Sequence, residues 1–393
     1  MMSMNVFKQV LYWAQEMCYF EPMNKSLSFI LLFLFGASTA FSQSAGGTTL
    51  PAPTNVLTRE QAIMNSNSYE LQQNNEALSK QLKINTQQGD QWLNLYLSKR
   101  FTAYGEKGRN LNTNEEAELA TIINQMKAAL GESYEYQYAS YLQLNKKDEG
   151  LAYLERAYSL NPTNPEIWDD KLFKAVIEEN EADQRGFANA LVEVGYYSGA
   201  LMEYNSNVLN SVAQNAVLIT YGQLDTYPLM VMQKGYNYRP DVKIICIEWL
   251  NSEKYKSQLS KKLGVSVQHW SSQTPVKTII ADLKQPVYVG LTVPPTQLKE
   301  IKSQLYCTGL AFLYSMSNIN NLESLHYNWI NLFAKNFVTN SEPINANYTM
   351  ALVQLSAYYG QTGNNQRKLE VDQYLKEIGR IHQLEKLIKK HID

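Results

Sequence analysis

One short stretch of the chain, TYGQLDTYPL, carries the residues best suited to chemistry. It stands between an apolar run and a segment with helical spacing, and its polar side chains are those of Tyr221, Gln223, Asp225, Thr226 and Tyr227. Loops at the carboxyl ends of parallel strands are where open α/β sheets bind ligands. The carboxylate, amide and hydroxyl groups could bond the hydroxyls of a sugar, while one of the two tyrosine rings stacks on its face. A glycan-binding crevice is therefore one hypothesis for this stretch.

A purely structural interpretation of the same stretch is also open. Gly222 frees the backbone beyond the apolar run, and Asp225 or Thr226 could accept hydrogen bonds from the first amides of the next helix. Pro228 suits a first helical turn because its missing N–H has no partner there. Glu248 closes the next apolar run, where it either faces the same crevice or caps a strand end.

The rest of the sequence lacks the common catalytic and cofactor motifs. It has no glycine-rich phosphate loop, no nucleophile elbow and no carboxylate pair placed for acid–base catalysis. The four histidines are scattered, so we expect neither a metal site nor a cofactor. With 35 Lys and Arg against 37 Asp and Glu, no basic surplus favours nucleic acid binding. We predict no catalytic residue; a non-enzymatic role is favoured, although the sequence leaves residual catalysis open.

Helical and β-rich patterns alternate along the chain and predict the elements that position these residues. From 58 to 212 apolar residues recur at helical spacing. Between 213 and 318 helical segments separate four β-rich runs, AVLIT, VKIICIEWL, VYVGLTV and GLAFLYS, as in βαβ units. From 319 to 393 the helical pattern returns. The predicted fold class is α/β plus all-α, with helical hairpins flanking a small, mainly parallel sheet domain.

Some finer expectations accompany this outline. A helix is predicted over 296–306, and a helical hairpin is expected to turn at Gly363 and Asn364. The final basic segment, EKLIKKHID, is interpreted as a solvated helical tail. Arg239 and Asp241 are interpreted as a surface ion pair of small energetic weight.

The segment YEYQYASYLQLNKKDEGLAYLERAYSLNPTNPEIW resembles a tetratricopeptide repeat. The matching residues are Tyr141, Tyr153, Ala157, Leu160 and Pro162, with Asn164 and Pro165 opening the next helix. In such a repeat, small residues let two antiparallel helices approach and Pro ends the second. Tyr138 and Gly150 depart from the usual pattern. The resemblance implies stacked hairpins whose concave surface binds a protein or peptide partner.

A second resemblance covers residues 215–335. AVLITYGQLDTYPLMVMQKGYNYRPDVKIICIEWLNSEKY, and later QPVYVGLTVPP with LYCTGLAFLYSM, are similar to the soluble C-terminal region of a family of polytopic bacterial membrane proteins. That family is common in Bacteroidetes, and its eukaryotic relatives are protein O-mannosyltransferases. The shared positions are Gly222, Asp225, Thr226, Tyr227, Pro228, Leu229, Arg239, Pro240, Asp241, Val242 and Lys243. Cys307 and Thr308 depart where the family has Glu.

This second resemblance implies a module rather than an activity. In that family, glycosyl transfer belongs to the membrane-spanning part, and no apolar run after residue 42 is long enough to cross a bilayer. We therefore expect the catalytic membrane part to be absent. What the resemblance implies is a small α/β domain joined to tetratricopeptide-like helices on the non-cytoplasmic side.

The stretch MNKSLSFILLFLFGASTAFSQ has the pattern of an export signal. Lys25 supplies a positive charge, Leu27 to Phe35 form an apolar core, and Ala40 and Ser42 are small residues at the positions that a signal peptidase reads. We expect cleavage after Ser42, with an uncleaved anchor as the alternative. No Cys follows the apolar core, so a lipoprotein is not expected.

The export signal fixes the remaining boundaries. The signal peptide proper occupies 23–42, residues 1–42 together are upstream residues and signal, and either Met1 or Met23 could be the start. A linker rich in small residues and Pro is predicted over 43–57. The expected location is periplasmic or secreted, with no membrane-spanning segment after cleavage.

Two functions of different classes follow from these patterns. The first is an exported interaction or scaffold protein of the cell envelope, which the resemblance would place beside glycosylation or secretion machinery; a purely structural envelope subunit would look the same in sequence. The alternative is a glycan-binding protein or enzyme that uses the crevice around Asp225. The sequence leaves open the partner, the oligomeric state and whether Cys246 pairs with Cys307.

Overall fold

The computed structural model describes residues 68–107, 111–145, 147–334, 337, 339 and 343–392. The predicted signal peptide, the linker and the start of the helical block lie outside the described residues. The helices that precede the sheet are α1 (Ser68–Ile84), α2 (Gly89–Lys107), α3 (Thr113–Leu130), α4 (Tyr134–Gln143), α5 (Leu151–Leu160), α6 (Trp168–Ile177), α7 (Glu181–Glu193) and α8 (Gly199–Asn210).

Local signals explain where these helices begin and why they pair. Asn112 and Glu115 form a capping box at the start of α3, and the Ser133 hydroxyl accepts a backbone N–H at the start of α4. Short connections fold α1 onto α2, α4 onto α5 and α6 onto α7. A Cβ on Gly150 would lie 3.2 Å from the Tyr141 ring, so the glycine permits the close approach of α4 and α5.

A five-stranded sheet follows the helices. Its strands are β1 (Val217–Thr220), β2 (Lys243–Cys246), β3 (Val287–Gly290), β4 (Leu305–Cys307) and β5 (Ala311–Tyr314). The spatial order is β2-β1-β3-β5-β4; β1 is parallel to both neighbours, and β5 is antiparallel to β3 and β4. The connecting helices are α9 (Tyr227–Gly235), α10 (Glu253–Leu263), α11 (Val276–Ala281) and α12 (Pro295–Leu298). The predicted fold class is confirmed.

The prediction of a helix over 296–306 is wrong for the second part of that range. Helix α12 ends at Leu298, a 3₁₀ segment continues to Gln304, and β4 then pairs with β5 from the register Leu305 with Tyr314. The Ser315 N–H donates to the Gln304 carbonyl at 2.9 Å and closes the hairpin. The side chains of Leu305–Cys307 are buried, so the backbone groups of this segment need partners inside the protein. Pairing with β5 supplies them, and this outweighs the helical spacing of the sequence.

Side chains cover both outer edges of the sheet. The Tyr255 hydroxyl lies 3.1 Å from the Cys246 N and 3.4 Å from the Ile244 carbonyl oxygen, along β2. The Asn321 amide donates to the Cys307 carbonyl of β4 at 2.7 Å. Cys246 and Cys307 are both free and buried on these outermost strands. Four strand spacings of about 4.8 Å separate them, roughly 19 Å, so they do not pair.

Helices complete the fold after the sheet. They are α13 (Asn321–Asn328), a π-helical turn (Trp329–Phe333), a 3₁₀ segment (Pro343–Tyr348), α14 (Thr349–Gln361), α15 (Asn365–His382) and α16 (Glu385–Ile392). The hairpin turns at Gly363, with φ 70°, as predicted. The solvated tail is a wrong prediction, because Ile388 of α16 is 1% exposed and packs close to Gly379. None of the described helices combines the length and apolar character needed to cross a bilayer.

Arg239 and Asp241 form more than the expected surface ion pair. The guanidinium Nε and Nη2 each lie 2.9 Å from one oxygen of Asp241. The same guanidinium also donates to three carbonyls near the end of α8, those of Leu209, Val212 and Ala213. Asp241 accepts the Asn215 N–H as well. The pair therefore fastens the end of α8 to the start of the sheet, and the hydrogen bonds from Arg239 lower the pKa of Asp241 to about 2.

We expect Arg239→Lys to destabilise the chain, because an ammonium cannot reproduce the planar fork that reaches the carboxylate and the carbonyls together. The free energy of unfolding should fall by roughly 1–3 kcal/mol in urea denaturation. Arg185→Lys on the exposed face of α7 is the control. Equal stabilities of the two variants would contradict the prediction.

The lowered pKa of Asp241 gives the same pair a pH signature. A depressed carboxyl pKa stabilises the folded state above the unfolded value of about 4, and this contribution is lost as the pH falls toward 2. The stability difference between wild type and Arg239→Lys should therefore shrink across that window. A difference that stayed constant from pH 5 to pH 2 would argue against it.

Candidate functional site

The predicted site residues lie at the carboxyl end of β1. Gly222 has φ 97°, a backbone conformation that turns the chain directly after the strand. The Gln223 carbonyl accepts the N–H groups of Thr226 and Tyr227, at 3.1 and 2.9 Å, and this closes the turn that starts α9. Tyr221, Gln223 and Asp225 keep partial exposure on this turn.

Thr226 and Tyr227 are directed to the interior instead. Both are 0% exposed. The Thr226 hydroxyl lies 2.8 Å from the hydroxyl of Thr220 and 2.8 Å from the carbonyl oxygen of Gly222, so it does not cap α9 as one interpretation expected. Pro228 occupies the first turn of α9, as predicted. Of the two tyrosines considered for stacking, Tyr221 is the one with exposed surface.

Glu248 lies in the loop after the neighbouring strand. It belongs to a 3₁₀ segment, Ile247–Asn251, that follows β2. Its own side chain keeps partial exposure. Because β1 and β2 are parallel, Asp225 and Glu248 stand at the same end of the sheet. On the other side of β1, the turn after β3 flanks the point where the strand order reverses. The structure thus brings the partly exposed residues of the prediction to one end of the sheet.

A buried carboxylate beneath this turn was missed by the sequence analysis. Asp170 of α6 is 0% exposed. It accepts the hydroxyl of Tyr227 at 2.6 Å and that of Tyr141 at 3.1 Å on one oxygen. The hydroxyl of Tyr138 lies 3.1 Å from the other oxygen and shares its single proton with the Glu166 carbonyl at 3.0 Å. Hydrogen bonds to an ionised acceptor are the stronger kind. We call these four residues the Asp170 cluster.

A second buried acid, Asp169, lies next to the Asp170 cluster. Asp169 accepts the hydroxyl of Tyr197 at 3.3 Å, and it is 3% exposed. Burial and the charge of Asp169 raise the pKa of Tyr141 well above its usual value. Burial and the nearby Tyr141 and Asp169 likewise raise the pKa of Tyr227 well above its usual value. These phenols therefore stay protonated and act as donors, which suits a structural joint between α4, α6 and α9.

A separate groove opens on the helical block. Its volume is about 290 Å³, and its lining residues are Tyr158, Pro162, Trp168, Asp183, Gly186, Phe187 and Ala190. The rings of Tyr158 and Phe187 meet edge to face at 5.7 Å, and the Lys171 ammonium lies 4.4 Å from the Tyr158 centroid. Three of its seven lining residues are thus aromatic, and Asp183 adds one carboxylate.

Metal coordination finds no support in the described part of the chain. No group of three or more His, Cys, Asp or Glu side chains there is arranged to hold an ion. The β1 turn offers groups for hydrogen bonding, and the groove offers aromatic contact.

Comparison with known proteins assigns part of this region to a family model. Residues 201–277 match the model of TMEM260-associated domain 2. The match runs from α8 to the start of α11 and includes the β1 turn, the Arg239–Asp241 pair and Glu248. Neither the curated proteins nor the solved structures gave a match.

We expect Tyr227→Phe to lower the free energy of unfolding by roughly 1–3 kcal/mol, because it removes one donor to a buried charged acceptor and changes little else. Tyr236→Phe, at a residue 60% exposed, is the matched control. Urea denaturation gives both values, and a double-mutant cycle with Asp170→Asn measures the coupling. A Tyr227→Phe loss no larger than that of the control would refute the assignment.

Proposed function

We propose that the chain is an exported, tetratricopeptide-like interaction or scaffold protein of the cell envelope, whose helical hairpins bind a protein or peptide partner. The observation that carries the proposal is the aromatic groove on α5, α6 and α7. Aromatic residues with a polar rim are typical of the contact surfaces that such partners use. Stacked hairpins supply the rigid support that such a surface needs.

Gly186 adds a second reason to favour this groove. It lies inside α7, where Gly costs roughly 1 kcal/mol relative to Ala. A Cβ at this position would meet nothing within 4 Å, so packing inside the chain does not require the glycine. The space it leaves belongs to the groove, where a partner could approach the helix backbone closely.

The envelope location and the accessory role rest on the sequence patterns. The export signal favours a periplasmic or secreted protein, and the resemblance to the membrane-protein family favours a role beside glycosylation or secretion machinery. The match of residues 201–277 to TMEM260-associated domain 2 supports a module that accompanies membrane proteins. Tyr141, Ala157 and Pro162 support the tetratricopeptide assignment of α4 and α5.

The alternative is a glycan-binding protein or enzyme that uses the end of the sheet around Asp225. Its support is the partial exposure of Tyr221, Gln223, Asp225 and Glu248 in adjacent loops at the carboxyl ends of parallel strands. The turn offers one ring and several polar groups to a hydroxylated ligand. Burial of Thr226 and Tyr227 leaves fewer contacts than the sequence suggested.

Gly186→Trp tests the interaction function, because a Cβ at this position meets nothing within 4 Å and an indole there should enter the groove. Tagged wild type should capture a defined set of envelope proteins, quantified by mass spectrometry, and Gly186→Trp should lose at least one of them more than tenfold. Gly186→Ala should retain the set and gain about 0.5–1 kcal/mol in stability, because it removes a helical glycine.

Arg185→Trp is the matched control for this experiment. It places the same indole on the exposed surface of α7, one residue away from the groove lining. Loss of the same proteins from both Trp variants would contradict a specific groove. Capture of nothing by the wild type would contradict the scaffold proposal itself.

Asp225→Asn tests the alternative on a glycan array. If the turn binds sugars, wild type should bind a defined glycan and Asp225→Asn should bind it at least tenfold more weakly, a loss of about 1.4 kcal/mol. Asp183→Asn, at the rim of the helical groove, should bind like wild type. Equal binding by both variants, or none by wild type, would remove the alternative.

A further inference from the structure

Four of the residues that line the aromatic groove stand on one face of α7. Asp183, Gly186, Phe187 and Ala190 follow the spacing i, i+3, i+4 and i+7, which aligns residues along one side of a helix. Asp183 and Phe187 are four residues apart, so the carboxylate stands about one turn from the ring. The groove therefore joins a negative charge to aromatic surface.

The charge of Asp183 is not balanced within the groove. Its Oδ2 accepts the Asn180 amide at 2.8 Å, a contact with a neutral group at the start of α7. In the described part of the chain, no Lys, Arg or His side chain forms an ion pair with it. The Lys171 ammonium lies 4.4 Å from the Tyr158 centroid, but Glu155 neutralises it at 2.5 Å. Asp183 thus supplies the net charge of the groove.

This arrangement suits a cation better than an anion or an apolar group. The indole N–H of Trp168 already donates to the Pro162 carbonyl at 3.0 Å, so it is not free to bind an anion. An apolar side chain seated on the rings would take Asp183 out of water without replacing its lost hydrogen bonds, which costs free energy. A cation satisfies the carboxylate and the rings together, because aromatic faces attract positive charge.

We propose that the groove binds an arginine side chain in an exposed segment of the partner protein. A guanidinium is planar and weakly hydrated, so it stacks on aromatic rings and pairs with a carboxylate through two N–H donors. The groove volume of about 290 Å³ is just below the usual range of small-molecule pockets and suits one long side chain. Gly186 leaves space for the adjoining backbone of the partner. This inference rests on the proposed interaction function and adds the chemistry of the partner.

Selection of short random peptides displayed to the full chain tests this chemistry. Wild type should enrich peptides with arginine at one fixed position, and a selected peptide should bind roughly tenfold more weakly when that arginine is replaced by glutamine. Asp183→Asn should weaken binding of the arginine peptide by a similar factor and leave binding of the glutamine peptide nearly unchanged. The reason is that Asn removes the charge but keeps an oxygen that can accept the Asn180 amide. Calorimetric titration gives the four affinities.

Glu181→Gln is the matched control. It removes a carboxylate from the same first turn of α7 but not from the groove lining, so it should bind the arginine peptide like wild type. Gly186→Trp should abolish that binding, because the groove is then filled.

Three results would overturn the proposal. They are equal weakening by Asp183→Asn and Glu181→Gln, full binding by Gly186→Trp, and a wild-type selection that enriches no arginine, whether it yields proline-rich, acidic or apolar peptides or none. Each of them leaves the interaction function standing if the capture of envelope proteins still depends on Gly186. Failure of that capture, by contrast, is the result that contradicts the interaction function.

Discussion

The architecture depends on one buried carboxylate, that of Asp170. Removing a carboxylate from water costs several kcal/mol unless hydrogen bonds replace the lost solvation. Tyr141 of α4 and Tyr227 of α9 donate to it here, and Tyr138 of α4 shares its proton between Asp170 and the Glu166 carbonyl. Because Tyr227 belongs to α9 and the other donors to α4, separating the sheet unit from the helical block would remove the closest donor from this carboxylate. The joint therefore holds the two units in one arrangement.

The aromatic packing around the same joint sets the geometry of the candidate site. Trp249 contacts Phe173 of α6 at 4.7 Å, Tyr227 at 5.2 Å and Tyr255 at 5.5 Å between ring centroids. Tyr227 is thus fixed by its ring and by its hydroxyl. Asp225, two residues before it, and Glu248, next to Trp249, project from backbone that this packing holds. The position of the turn follows from the core beneath it.

The sequence predicted what local patterns determine and missed what distant contacts determine. The apolar runs that became β1, β2, β3 and β5 and the glycine turn at Gly363 carry their signals within a few residues. β4 spans three residues and exists because β5 lies beside it. Asp170 follows another acid in a helix, a pattern typical of a solvated face, and only the approach of α4 and α9 makes it interior. Thr226 and Tyr227 were placed on the correct turn, but residue types alone do not tell which side chains point inward.

Helix α9 connects the Asp170 cluster to α7, the helix that lines the groove. The hydroxyl of its first residue, Tyr227, donates to Asp170 at 2.6 Å. Its end also approaches α7 closely, because a Cβ on Gly235 would lie 3.2 Å from the Asn189 side chain. α7 in turn lines the aromatic groove through Gly186. The burial of Tyr227 at one end of α9 and the contact with α7 at the other therefore tie the position of the groove to the joint around Asp170.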